Sequence, residues 1–115
     1  MTMSAELKSC LDICCECSSA CLKAAAQCAD TGKADLCRIL NDCAQLCQTT
    51  AVFCSRGAEC SPAACRACVE ACTLCAKACR QAGDAKLATC IETCRACAQC
   101  CEKFCQSTAA ITARG

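Results

Sequence analysis

Between Pro62 and Gly83 the cysteines Cys65, Cys68, Cys72, Cys75 and Cys79 recur at steps of three, four, three and four. On a helix that spacing puts every sulfur on one face, the face that carries the apolar seam in a bundle. A thiol is apolar enough to be buried as a small hydrophobe, and its deprotonated form is a soft metal ligand. One pattern can therefore supply both a core and a chemistry. Cysteine makes up 22 of the 115 residues, and histidine is absent. With no imidazole base, no paired carboxylates on a shared face and no phosphate-binding glycine loop, catalysis is not expected.

The same spacing recurs along the chain. Cys10, Cys14, Cys17, Cys21 and Cys28 form one seam; Cys43, Cys47 and Cys54, with Cys37 on the flank, belong to a second; Cys90, Cys94, Cys97, Cys101 and Cys105 form the last. Cys100 lies on a flank beside Cys97 and Cys101, and Cys60 falls in a connection. Both are candidate ligands by composition more than by position. Cys15, about 100° round the helix from Cys14, is left outside the set.

Filling nearly a whole core with Cys when Ala, Val and Leu are available has no packing advantage, so inert packing is a poor account of the pattern. Disulfides fit little better. Most neighbours are three or four apart on one helix, where a bridge strains the geometry. No export signal is visible at the amino terminus and no 18-residue apolar stretch exists, so the expected setting is the cytoplasm, where thiols stay reduced, and no membrane partner is expected. A formal net charge of +1 and 2% aromatic residues offer neither a basic stripe nor a stacking platform, so nucleic acid is not an expected partner.

Metal binding remains, and charge argues for which metal. Every ligating thiol is deprotonated, and the seams hold no Lys, Arg or His to answer that charge. A four-cysteine zinc site keeps two negative charges, and a stack of them in one dry core is costly to bury. One Cu(I) per thiolate leaves the core neutral, which predicts a load on the order of 15 to 22 Cu(I) per chain. Pairs such as Cys10 with Cys14, Cys68 with Cys72 and Cys90 with Cys94 share a helical face on which one ion could be held. Two alternatives stay open. One is a metallothionein-like buffer of zinc or heavy metals. The other is an iron–sulfur electron carrier, since Cys94, Cys97 and Cys100 have the C-x2-C-x2-C run of ferredoxins, although Cys105 follows one residue late and no Pro comes after it.

Four helices must position these thiols. Leu, Ile, Val and Phe number only 16 of 115 residues, so Ala and Cys must supply most of the core volume. Turn chemistry divides the chain into helices over about 5–30, 34–56, 62–82 and 84–107, with Ser4, Ser61 and Asp84 as caps, Pro62 at a helix start, and Gly32, Gly57 and Gly83 as stops. The short connections make neighbours antiparallel. The expected fold is all-α, one domain over residues 1–115: an up-down-up-down four-helix bundle about 35 Å long with a cysteine-lined core. A second apolar line on the second helix, Ile39, Leu46 and Phe53, follows at intervals of seven. Val52 and Leu74 point away from the seams, a hint of contact with another copy. Leu7, Leu11, Phe53 and Phe104 form an apolar plug at the amino-terminal end, so copper is expected to enter at the opposite end, near Cys28, Cys37, Cys79 and Cys90.

Over about residues 5–107 the repeated CxxxC and CxxC pairs, as in Cys10-Leu11-Asp12-Ile13-Cys14 and Cys94-Arg95-Ala96-Cys97, resemble the bacterial four-helix-bundle copper storage proteins, specifically the cytosolic branch. The resemblance implies a tetramer of bundles, each storing many Cu(I) ions along its core without catalysis. Family members often carry His or Met near the bundle mouth. Here there is no His, and Met occurs only at Met1 and Met3.

Overall fold

The computed structural model describes residues 5–29 and 31–114, with side chains as far as 105. Four helices follow one another: α1 (Ala5–Cys28), α2 (Ala34–Arg56), α3 (Ser61–Ala82) and α4 (Ala88–Arg114), the last preceded by a 3-10 turn over Ala85–Leu87. No strand occurs among the described residues. α1 and α3 each pack against both α2 and α4, which is the expected up-down-up-down bundle. The charged residues Lys8, Asp12, Glu16, Lys23, Glu70, Lys77, Arg80, Glu92, Arg95 and Glu102 all lie on the solvent side, as the seam periodicity requires.

The turns are built largely as the sequence predicts. Gly57 and Gly83 end α2 and α3 with left-handed φ of 64° and 68°, a conformation in which a Cβ is strained. Asp84 caps the 3-10 turn, its carboxylate accepting from the Lys86 backbone N–H at 2.9 Å. Ser61 behaves differently from expectation. Cys60 occupies the cap position of α3 without a capping bond, and the Ser61 hydroxyl donates backwards to the Ala58 carbonyl at 2.7 Å. That hydroxyl satisfies the preceding loop and is not available to the helix that follows. Ser4 and Asp30, the expected first cap and the expected end of α1, lie outside the described residues.

At the carboxyl end α4 continues to Arg114, seven residues past the expected stop. The sequence after Ser107 is rich in Ala and contains neither Gly nor Pro before Gly115, so nothing in it breaks the helix. The longest dimension is accordingly 50 Å, greater than the expected bundle length.

The core runs along the bundle axis. Of the 22 cysteines, 18 are buried, joined by Ala24, Ala25, Ala44 and Ala76 and by Leu36, Leu40 and Leu87. The three leucines lie toward the end formed by the α1–α2 and α3–α4 connections. The expected contrast between a plugged end and an open one is therefore weak: Leu7, Leu11 and Phe104 pack over the amino-terminal end, and Leu36, Leu40 and Leu87 fill the other. Thr50 is the polar member of the α2 seam. Its hydroxyl, fully buried, donates to the Leu46 carbonyl at 2.7 Å, with the Ala64 carbonyl at 3.2 Å.

Candidate metal centre

All 22 cysteines are free thiols. Their sulfurs form a continuous file down the bundle in which neighbours stand 3.7 to 4.0 Å apart. Cys10 and Cys14 both approach Cys101 at 3.8 Å, and Cys54 meets Cys65 at 3.8 Å. In the middle, Cys17 reaches Cys94 at 3.7 Å and Cys72 at 3.8 Å, Cys43 reaches Cys72 at 3.7 Å, and Cys47 reaches Cys68 at 3.7 Å. Further along, Cys21 contacts Cys90 and Cys94 at 3.8 Å and Cys75 at 4.0 Å.

Most of these contacts cross between helices. The sequence drew attention to pairs on one helix, and two of them, Cys68 with Cys72 and Cys90 with Cys94, close to 4.0 Å. The shorter contacts come from side chains that converge on the axis from facing helices, a relation that spacing along one helix does not reveal.

Five groups of sulfurs lie within 4.8 Å of one another: Cys14, Cys68, Cys97 and Cys101; Cys17, Cys47, Cys72 and Cys97; Cys17, Cys21, Cys43 and Cys94; Cys21, Cys75, Cys90 and Cys94; and the trio Cys10, Cys65 and Cys101. The second draws one thiol from each helix. Four thiolates around one ion at a bond length of about 2.3 Å stand about 3.8 Å apart, and three about 4.0 Å apart. The file matches both spacings. Cys17, Cys21, Cys94, Cys97 and Cys101 each belong to two groups, so ions in adjacent groups would share bridging sulfurs.

The other candidate ligands fall into two sets. Cys28, Cys54, Cys79 and Cys105 are buried at or near the ends of the file. Cys37 and Cys100 are half buried, and the Cys37 thiol donates to the Ala25 carbonyl at 3.6 Å. Cys60 is exposed at the start of α3, and Cys15 is exposed on α1; neither is in the five groups. The C-x2-C-x2-C run Cys94, Cys97, Cys100 lies wholly on α4, and Cys100 turns toward the surface away from the grouped sulfurs.

Electrostatics in the file follow from burial and from S–H···S bonding. Burial, with the Cys65 thiol beside it, pushes Cys105 up to about 11, and burial is also the chief cause raising Cys28 and Cys100. Between hydrogen-bonded neighbours the direction alternates: Cys17 is lowered chiefly by its bond with Cys21, and Cys21 is raised chiefly by that same bond. Hydrogen bonds with Cys101 and Cys14 bring Cys97 down to about 7. A proton held on one sulfur thus stabilises the thiolate next to it. No Lys, Arg or His lies among the buried described residues, whose polar members are Ser18, Thr50 and Ser61. Any charge on the thiolates must therefore be met by cations brought in from outside.

Comparison with known proteins places the chain. It is similar to a solved protein of Nitrosospira multiformis at 37% identity, covering 88% of this chain and 95% of that one with a TM-score of 0.82. A variant of the Streptomyces lividans protein Ccsp is similar at 30% identity, with 88% and 92% of the two chains covered and a TM-score of 0.81. No curated protein matches. The profile of the family described as "Copper storage protein" matches residues 3–106, nearly the whole helical bundle. A thiol file lining four helices and this match over its full extent lead to one assignment: the chain belongs to the copper storage protein family.

Proposed function

We propose that this protein stores Cu(I) inside the bundle as a thiolate-bound file, at roughly one ion per buried cysteine, and catalyses no reaction. The observation that carries the reading is the file of close sulfurs in a core where, among the described residues, no Lys, Arg or His is buried. Fourteen thiols make up the five groups. Five divalent ions would leave four negative charges uncompensated in the dry interior, whereas monovalent ions matched one to a sulfur leave none. Soft thiolates without imidazole also select Cu(I) over Cu(II). Shared sulfurs such as Cys17 and Cys97 supply the bridges that low-coordinate ions need at that ratio.

The remaining parts of the proposal follow from the same chemistry and from the family. Free thiols in this number persist in a reducing compartment, so the protein works in the cytoplasm. The functional unit is a homotetramer, as the family resemblance implies, and copper ions are the cargo. Zinc or another heavy metal would fit the spacing of a single group, but a full load of divalent ions conflicts with the charge argument.

Anaerobic titration of the reduced, metal-free protein with Cu(I), followed by thiolate-to-copper absorbance against a competing chromophoric chelator, tests this directly. Saturation near the number of buried thiols is expected. Saturation at about five ions, one per sulfur group, would transfer the assignment to a divalent metal.

A further inference from the structure

The α2–α3 side of the bundle carries an apolar line beside the thiol core, of which only Ile39 packs against the buried cluster. Ile39, Leu46 and Phe53 recur at intervals of seven along α2, beside its seam, and all three are only half buried. Heptad spacing is what a helix shows on the face where it meets another helix. Across from this line, Leu74 of α3 is 62% exposed, more than any other large apolar side chain among the described residues. The contacts of Cys43 with Cys72 and of Cys47 with Cys68 set the two antiparallel helices at a register in which Leu46 and Leu74 lie little more than one turn apart, with Leu74 between the levels of Leu46 and Ile39. With Ile39 they line an open groove of about 500 Å³, the kind of apolar surface that marks an interaction site.

The rim indicates what covers it. Glu70 and Lys77, both exposed, border the groove on α3, one turn to either side of Leu74. A second copy related by a two-fold axis through Leu74 would lay its α3 antiparallel to the first. Glu70 of each copy then faces Lys77 of the other, and Leu74 meets its own counterpart. Self-complementarity of this kind is what a two-fold interface requires, since residue i meets j while j meets i. Ala71, on the same face, leaves room for the helices to approach closely.

We infer that the α2–α3 groove is the surface through which two copies of this chain associate, with Leu74 on the two-fold axis and Glu70–Lys77 pairs flanking it. This gives a contact to the oligomer proposed above and depends on that part of the reading, not on copper.

Sedimentation velocity on the reduced, metal-free protein decides it. The wild type is expected at twice the monomer mass or a higher even multiple. Leu74→Glu buries a carboxylate against its twin, and Glu70→Lys sets Lys against Lys; each should raise the dissociation constant by at least about tenfold with helicity unchanged by circular dichroism. The exchange Glu70→Lys with Lys77→Glu should restore association to the wild-type level. A monomeric wild type at micromolar concentration, folded single variants that assemble like the wild type, or a folded double variant that fails to recover would each overturn the inference. Cu(I) capacity measured on the same samples should not change, so failure of the interface and failure of the copper reading give different results.

Discussion

Cys72 is the busiest sulfur in the file, with Cys17 at 3.8 Å, Cys43 at 3.7 Å, Cys47 at 3.9 Å and Cys68 at 4.0 Å. In a bridged array, removing one shared ligand disturbs every ion it touches. Cys72→Ser should therefore lower Cu(I) saturation by two or more ions in the chelator titration, whereas Cys15→Ser, at an exposed position, should leave saturation unchanged. Protonation belongs to the same scale. Cys105, held up at about 11, keeps its proton at neutral pH, so its ligation must release one. Apparent Cu(I) affinity is accordingly expected to rise with pH between 6 and 8 in chelator competition. For the apoprotein the sign is reversed. A thiol whose folded pKa is raised contributes stability that is complete below its unfolded value near 9 and is lost as pH climbs through about 11. The urea midpoint followed by circular dichroism should fall between pH 9 and pH 11.

At the scale of the helices, two kinds of residue keep the file in register. Leu87 is 1% exposed and Leu40 is fully buried; with Leu36 they are the large aliphatic side chains in a core otherwise made mostly of Cys and Ala. Leu87→Ala leaves a void beside small neighbours that cannot collapse into it, a loss of about 2 to 5 kcal/mol. Gly83 has a different role. Nothing lies within 4 Å of where its Cβ would be, so Gly83→Ala carries only the backbone cost of the left-handed turn, about 1 kcal/mol. Denaturant unfolding of the two variants should rank them in that order.

For the whole molecule, the sulfur spacing of the fold matches metal–thiolate geometry. If the buried core of Ala, Leu and Cys holds the bundle together by packing alone, the protein differs from small zinc domains that fold only on binding. The apoprotein should be strongly helical by circular dichroism, and Cu(I) should add little ellipticity while raising the thermal midpoint by mass action. An apoprotein without helical signal would show that the ions build the fold and would remove the preformed store from the proposal.

Much of this was legible in the residues alone. The alternation of three and four between successive cysteines is a helical period, so it identified the helices, the buried face and the thiols on it; Gly57, Gly83 and Asp84 marked the turns because each has a conformational or capping preference that acts locally. Other features depended on how the helices face one another. Ser61 gave its hydroxyl to the loop at Ala58, an alternative that composition could not separate from a helix cap. α4 passed its expected stop because the absence of a breaker is a weaker signal than the presence of one. The close sulfur contacts, Cys17 to Cys94 or Cys47 to Cys68, join residues 77 and 21 positions apart, and their distances are set by interhelical packing, which no single seam encodes. The sequence by itself determined that thiols would line a helical core. Only the tertiary structure decided which thiols became neighbours, because the approach of one helix to another is a property of four packed faces together.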